Sequence, residues 1–132
     1  MNIFDEGYEY LLEDIIALNG RMNKSIDEWS YTRKTGLGDQ LSRSLTSVSS
    51  NLEEGRGRAA GCYGYKDVLQ FMRYALGSAR EAKVQIKIAW RSGLIGRKQK
   101  TKSVQILEDA IVFIEKKIDE MVEDRYENGD YD

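Results

Sequence analysis

Four cations recur at every seventh residue in the middle of this chain: Lys66, Arg73, Arg80 and Lys87. Seven residues are close to two helical turns, so on a helix these side chains form one stripe. At about 1.5 Å per residue the stripe spans about 31 Å, with successive members about 10.5 Å apart. A cationic line of that length can meet the phosphate backbone of a nucleic acid at several points. The stripe belongs to a larger basic block. Between Arg56 and Lys102 there are twelve Lys/Arg against only Asp67 and Glu81, a local balance of +10 in a chain of net charge −2. The flanking residues, 1–55 and 103–132, carry eight basic and twenty acidic side chains. The candidate nucleic-acid contacts are therefore Arg56, Arg58, Lys66, Arg73, Arg80, Lys87, Arg91, Arg97, Lys98, Lys100 and Lys102. The last four fall at or just before the start of a helix, where each cation opposes the dipole at about 0.3–1 kcal/mol near the first turn. The competing reading is a solvated face, or ion pairs with the acidic fourth helix.

The same residues leave little room for catalysis. There is no histidine, hence no imidazole base, no histidine metal ligand and no Ser-His-Asp arrangement. A di-iron bundle in its usual form needs Glu-x-x-His pairs. Glu53 and Glu54 are adjacent, which on a helix points them about 100° apart, a poor acid/base pair. Gly55-Arg56-Gly57-Arg58 through Gly61 superficially resembles a phosphate loop, but it follows a helix and lacks the Lys-Ser/Thr that grips a nucleotide. A helix end and turn explain it better. Cys62 stands alone; Arg58 and Lys66 could lower its pKa, yet nothing supplies a resolving partner. The expectation is a non-enzyme with no catalytic residue, metal site or cofactor.

The elements that would position the stripe are helices. The 132 residues suit one domain. Proline is absent, whereas average usage of about 5% would give about six or seven, so the commonest helix breaker is missing. Tyr8, Leu11, Leu12, Ile15, Leu18, Met22, Ile26 and Trp29 recur at three- and four-residue steps, predicting a first helix near 5–30. Gly36 and Gly38 punctuate the connection to a second, near 37–54, with Leu37, Leu41, Leu45, Val48 and Leu52 on one side. Its six serines and threonines between Ser42 and Ser50 compete for the backbone, so it must be held by tertiary packing. Gly55, Gly57, Gly61 and Gly64 mark a turn before a third helix near 65–92. There a heptad frame puts Tyr65, Met72, Ala79 and Ile86 at one core position and Val68, Ala75, Ala82 and Ala89 at the other. The stripe then falls at the outward b position. Val104, Leu107, Ile111, Ile114, Ile118 and Met121 predict a fourth helix near 98–124, with residues 125–132 an acidic, frayed tail. The fold class expected is all-α, an antiparallel up-down-up-down four-helix bundle over residues 1–124. One cysteine and no apolar run approaching 18 residues lead to the expectation of a cytoplasmic protein without membrane partners.

The run Gly36-Leu37-Gly38-Asp39-Gln40-Leu41-Ser42-Arg43-Ser44, continuing through Ser47-Val48 and Asn51-Leu52-Glu53-Glu54-Gly55, resembles the signature of the four-helix-bundle proteins known as large-subunit (23S) ribosomal RNA intervening-sequence proteins. Phe71, Tyr74-Ala75-Leu76-Gly77-Ser78-Ala79, Glu81, Gln85, Ala89 and Gly93-Leu94-Ile95 match as well, so the likeness covers roughly 36–96. It implies a small helical bundle with no established enzymatic activity. A sister group with that fold contains the accessory variability determinants of diversity-generating retroelements, homopentamers that bind nucleic acid and a reverse transcriptase. Tyr8-Glu9-Tyr10-Leu11-Leu12 is similar to that group. Two positions depart from the pattern: Ser49 stands where proline is usual, and Arg97, Lys98, Lys100 and Lys102 stand where acidic residues usually open the fourth helix.

Tyr74, Gly77, Val84 and Ile88 fall at outward c and f positions of the third helix. Gly77 in mid-helix costs about 1 kcal/mol and gives no side chain, which suits close approach by another backbone. With the resemblance, this makes a homo-oligomer the expectation, a pentamer first. The function expected is nucleic-acid binding, RNA before DNA, by an oligomeric accessory or scaffolding protein. The alternative is a protein–protein interaction module, or the accessory of a reverse transcriptase in a retroelement.

Overall fold

The computed structural model describes residues 4–61 and 64–127, the last three of them by backbone alone. Four long helices account for most of it: α1 (Glu6–Asp27), α2 (Asp39–Ala59), α3 (Tyr65–Arg91) and α4 (Arg97–Glu127). No strand occurs among the described residues. The architecture is the expected four-helix bundle. α2 packs most extensively on α3 and α3 next on α4, while α1 rests on α2 and only lightly on α4.

α1 begins at Asp5, whose carboxylate accepts from the Tyr8 N–H at 3.1 Å, satisfying one donor of the open first turn. The same carboxylate reaches the buried Lys117 ammonium of α4 at 3.1 Å, and Glu120 stands 3.6 Å from that ammonium. The Lys117 hydrogen bond, with help from the Tyr8 N–H, holds the Asp5 carboxyl below its ordinary value. Tyr8 is fully buried; its hydroxyl donates to the Leu52 carbonyl at 2.7 Å and approaches Met72 Sδ at 3.5 Å. One side chain thus ties α1 to α2 and α3, and burial pushes its phenol pKa well above the usual range.

Two glycine-marked connections differ from expectation. Beyond Trp29 the chain makes a helical turn, Tyr31–Arg33, then a π-helical turn, Lys34–Gly38, and runs unbroken into α2. Gly38 serves closeness: a Cβ there would stand 2.6 Å from Ile26 Cγ2, so a larger residue would force Ile26 or the chain entering α2 to shift. Gly55 and Gly57 are inside α2, which extends to Ala59 instead of ending near 54. Gly55 is buried, its Cβ position 3.5 Å from Phe71 Cβ of α3. Packing overrides the modest cost of glycine in a helix. Cys62 lies outside the described residues. α4 continues to Glu127, past the expected end; of the predicted tail, residues 128–132 lie outside the described residues.

The serine-rich α2 is held from outside, as its composition requires. Leu41, Leu45, Val48 and Leu52 are fully buried. Its hydroxyls find partners on α3: Ser47 Oγ meets Ser78 Oγ at 2.8 Å, and Ser44 Oγ donates to Glu81 at 3.5 Å. The opposing surface of α3 is the seam read from heptads, with Val68, Met72, Ala75, Ala79, Ala82, Ile86 and Ala89 all buried. Small alanines let α2 and α4 approach α3 closely.

Candidate nucleic-acid interface

The alanine seam fixes the rotation of α3, and that rotation decides where the cations point. Lys66, Arg73, Arg80 and Lys87 are all exposed on the outward side. Arg80 stands 3.6 Å from Glu115 of α4, both side chains about half exposed. Lys66, Arg73 and Lys87 make no ion pair among the described residues. Arg91 is one turn beyond Lys87 and extends the line to the end of α3.

Arg56 and Arg58 are placed differently. Arg56 is bonded to both Glu9 and Glu53 and lies 6.0 Å from the Tyr8 ring centre. These contacts raise its pKa, the Glu9 hydrogen bond most. Arg58 pairs with Glu54 at 3.3 Å and lies 5.2 Å over the Phe71 ring. Both cations already hold the end of α2 against neighbours, so they stand apart from the stripe.

The cations that open α4 do not form one patch. Arg97 Cζ and Lys100 Nζ lie 5.8 Å and 4.1 Å from the Trp90 ring centre, joined there by Arg91 at 4.8 Å. Lys98 and Lys102 are one turn apart on another side. With Arg21 of α1 they rim a groove of about 1000 Å³ whose floor includes Leu18, Met22 and Ile106. This groove is the lightly packed α1–α4 seam. Sequence reasoning missed Arg21, because its partners lie more than seventy residues away, and missed Trp90 as the hub of a cationic cluster. The signal for Trp90 was available: Arg91, Arg97 and Lys100 flank a turn that a Gly-Leu-Ile sequence makes short.

Tyr74, Gly77, Val84 and Ile88 are exposed as the heptad frame requires, and the Gln70 amide donates to the Tyr74 hydroxyl at 2.7 Å. They share the outward face of α3 with the stripe. At 3.6 residues per turn, Tyr74 and Ile88 lie toward one side of that face and Arg80 and Lys87 toward the other. A second exposed apolar set, Tyr10 and Ile16 on α1 and Val112 on α4, went unremarked in the sequence.

Among the described residues no group of three or more His, Cys, Asp or Glu could hold a metal ion. No helix among them is long and apolar enough to cross a membrane. The pattern of the 23S rRNA-intervening sequence protein family matches residues 12–118. The chain belongs to that family. As a 23S rRNA-intervening sequence family member it is similar in fold to a crystal structure from Bacteroides thetaiotaomicron, a protein of unknown function from the S23 ribosomal protein family. The two are 17% identical with a TM-score of 0.73, over 85% of this chain and 97% of that one. That likeness concerns the fold alone. No curated protein matches.

Proposed function

We propose that this protein binds the phosphate backbone of structured RNA through the outward face of α3, as a non-enzymatic, oligomeric accessory or scaffolding factor. The observation that carries the reading is the row Lys66, Arg73 and Lys87, exposed and without a carboxylate partner among the described residues. Between Lys66 and Arg91 the only carboxylates on α3 are Asp67 and Glu81, so most of the line is left unneutralised by its own helix, and a line of like charge is relieved by a polyanion. Regular spacing adds that the line can follow a strand instead of meeting it once. Arg91 lengthens it. Assembly through Tyr74, Gly77, Val84 and Ile88 would set the cations at the rim of each contact and present several stripes together, raising avidity. A pentamer is the assembly the family resemblance favours.

The test is binding of labelled structured RNA and duplex DNA over a salt series. With four stripe cations engaged, log affinity should fall against log salt with a slope of about −3 to −4 per protomer. Arg73→Glu with Arg80→Glu should weaken binding to many sequences alike, because phosphate contacts position a ligand without reading bases. Undiminished binding by that folded variant would leave the stripe a solvated face.

The exposed Tyr74, Val84 and Ile88 beside the stripe favour a second reading, a docking module for an acidic protein surface, a reverse transcriptase among the candidates. Capture of such a protein without affinity for nucleic acid is its signature, with the part carried by Tyr74, Val84 and Ile88 persisting at high salt.

A further inference from the structure

The turn between α3 and α4 is locked, and it gathers three cations around one indole. Gly93 takes a φ of +76°, where glycine carries little penalty. Its N–H donates to the Trp90 carbonyl at 3.0 Å, and the Leu94 N–H donates to the Ala89 carbonyl at 2.9 Å. This pair of bonds is the Schellman arrangement, which satisfies the last carbonyls of α3 and fixes the direction in which the chain departs. Ile95 is buried immediately after it. The start of α4 is thereby held over the end of α3. Lys100, Arg91 and Arg97 stand 4.1, 4.8 and 5.8 Å from the centre of the Trp90 ring.

One ring cannot neutralise three charges. Its quadrupole attracts each cation, but the three still repel one another, and none forms an ion pair with a carboxylate among the described residues. Glu28 lines the small cleft beside Gly93 and Leu94 and pairs with none of them. Cations anchored on an aromatic face lose side-chain freedom before a ligand arrives, which lowers the entropic cost of binding. Guanidinium groups so held keep N–H donors for phosphate oxygens. The ligand such a cluster fits is an anion with several charges close together.

We propose that Arg91, Arg97 and Lys100, organised by Trp90, form a binding site for a chain of phosphate groups. The site deepens the RNA reading, since Arg91 joins it to the α3 stripe, and it adds a second, compact point of contact at the end of that line. The phosphates could be a terminal 5′-triphosphate or successive backbone phosphates. The shared chemistry is clustered phosphate charge.

Trp90 supplies its own reporter. In a Trp29→Phe background it is the sole tryptophan, since the chain has two. Inorganic tripolyphosphate should change its fluorescence saturably, at constant ionic strength, with matching heat in calorimetry on the parent chain. Arg97→Gln with Lys100→Gln should weaken that binding at least about tenfold while the helices stay intact. Preference for 5′-triphosphate over 5′-hydroxyl RNA of one sequence would assign the site to an RNA end, and equal, Trp90-reported binding of both would assign it to backbone phosphates. A silent Trp90 together with no calorimetric heat overturns the site, as does unchanged affinity in the double variant. The two proposals fail separately. RNA binding that is lost in Arg73→Glu/Arg80→Glu but indifferent to Arg97→Gln/Lys100→Gln overturns the phosphate site alone. A Trp90 response to tripolyphosphate without retention of any RNA overturns the RNA reading and keeps the site.

Discussion

Arg80 Nη2 and Glu115 Oε1 stand 3.6 Å apart, linking a stripe cation on α3 to a carboxylate on α4. Both side chains are about half exposed, and pairs of that kind contribute about 0–1 kcal/mol. The contact therefore restrains Arg80 without consuming it. Glu115→Gln should free the guanidinium and remove a nearby negative charge, raising affinity for RNA about two- to fivefold at low salt. Parallel salt titrations of parent and variant measure this. A fall in affinity would mean that Arg80 serves packing between α3 and α4 instead.

Ala82 is fully buried in the seam of α3. Ala82→Leu forces extra methylenes between closely packed helices and should cost about 1–3 kcal/mol in urea unfolding. A neutral result would contradict the tight seam on which the outward placement of the stripe depends.

Gly77 is exposed, and a Cβ there would meet no atom within 4 Å. Gly77→Glu is thus compatible with the folded protomer while placing charge at the proposed contact between copies. Light scattering should give the parent a mass several times the 15.1 kDa of one chain, and the variant the mass of one. Helicity by circular dichroism should be the same in both. A monomeric parent would remove the assembly from the proposal.

Tyr8 makes stability sensitive to alkali. Its folded pKa is raised above the ordinary 10.0 by burial, so the phenol remains neutral in the fold after it has begun to ionise in the unfolded chain. Its contribution is complete below pH 10.0 and is lost as pH rises from there toward the folded value. Tyr8→Phe should cost about 1–2 kcal/mol at neutral pH, since the Leu52 carbonyl loses its donor. The same variant should lose less stability than the parent between about pH 9 and about pH 11. Urea melts at the two pH values give the comparison, and equal losses would refute the role assigned to Tyr8.

The parts of the fold written in periodic apolar residues were legible, because burial of a stripe is a local pattern with a global meaning. The steps from Tyr8 to Ile26 and from Val104 to Met121 gave α1 and α4, and the alanine heptads gave the face of α3. Glycines misled. Gly36, Gly38, Gly55 and Gly57 read as punctuation, yet the chain remains helical through each of them. A glycine chosen for close approach and one chosen for a turn look alike without the neighbour that approaches. Among the described residues only Gly93 has the left-handed φ that favours glycine. For the candidate site, the stripe was legible because its members lie on one helix. The Trp90 cluster and the groove of Arg21, Lys98 and Lys102 needed contacts between helices, which charge counting along the chain cannot supply. Arg56 and Arg58 counted as positive charge in the sequence, but Glu9, Glu53 and Glu54 meet them in space.

Sliding of α2 along α3 is opposed by hydroxyls as well as by large buried side chains. Ala75, Ala82 and Ala89 offer small and similar surfaces, so their shape alone discriminates weakly between alignments one turn, about 5.4 Å, apart. Ser47 and Ser78, 2.8 Å apart, break that degeneracy like a detent in a rail. A slip would part these two hydroxyls, which are only partly buried, and forfeit a bond of about 0.5–1.5 kcal/mol, while Ser47 would keep the Asn51 amide, 3.0 Å away. The serine-rich face that weakens α2 as an isolated helix thus helps to give the pair a single alignment.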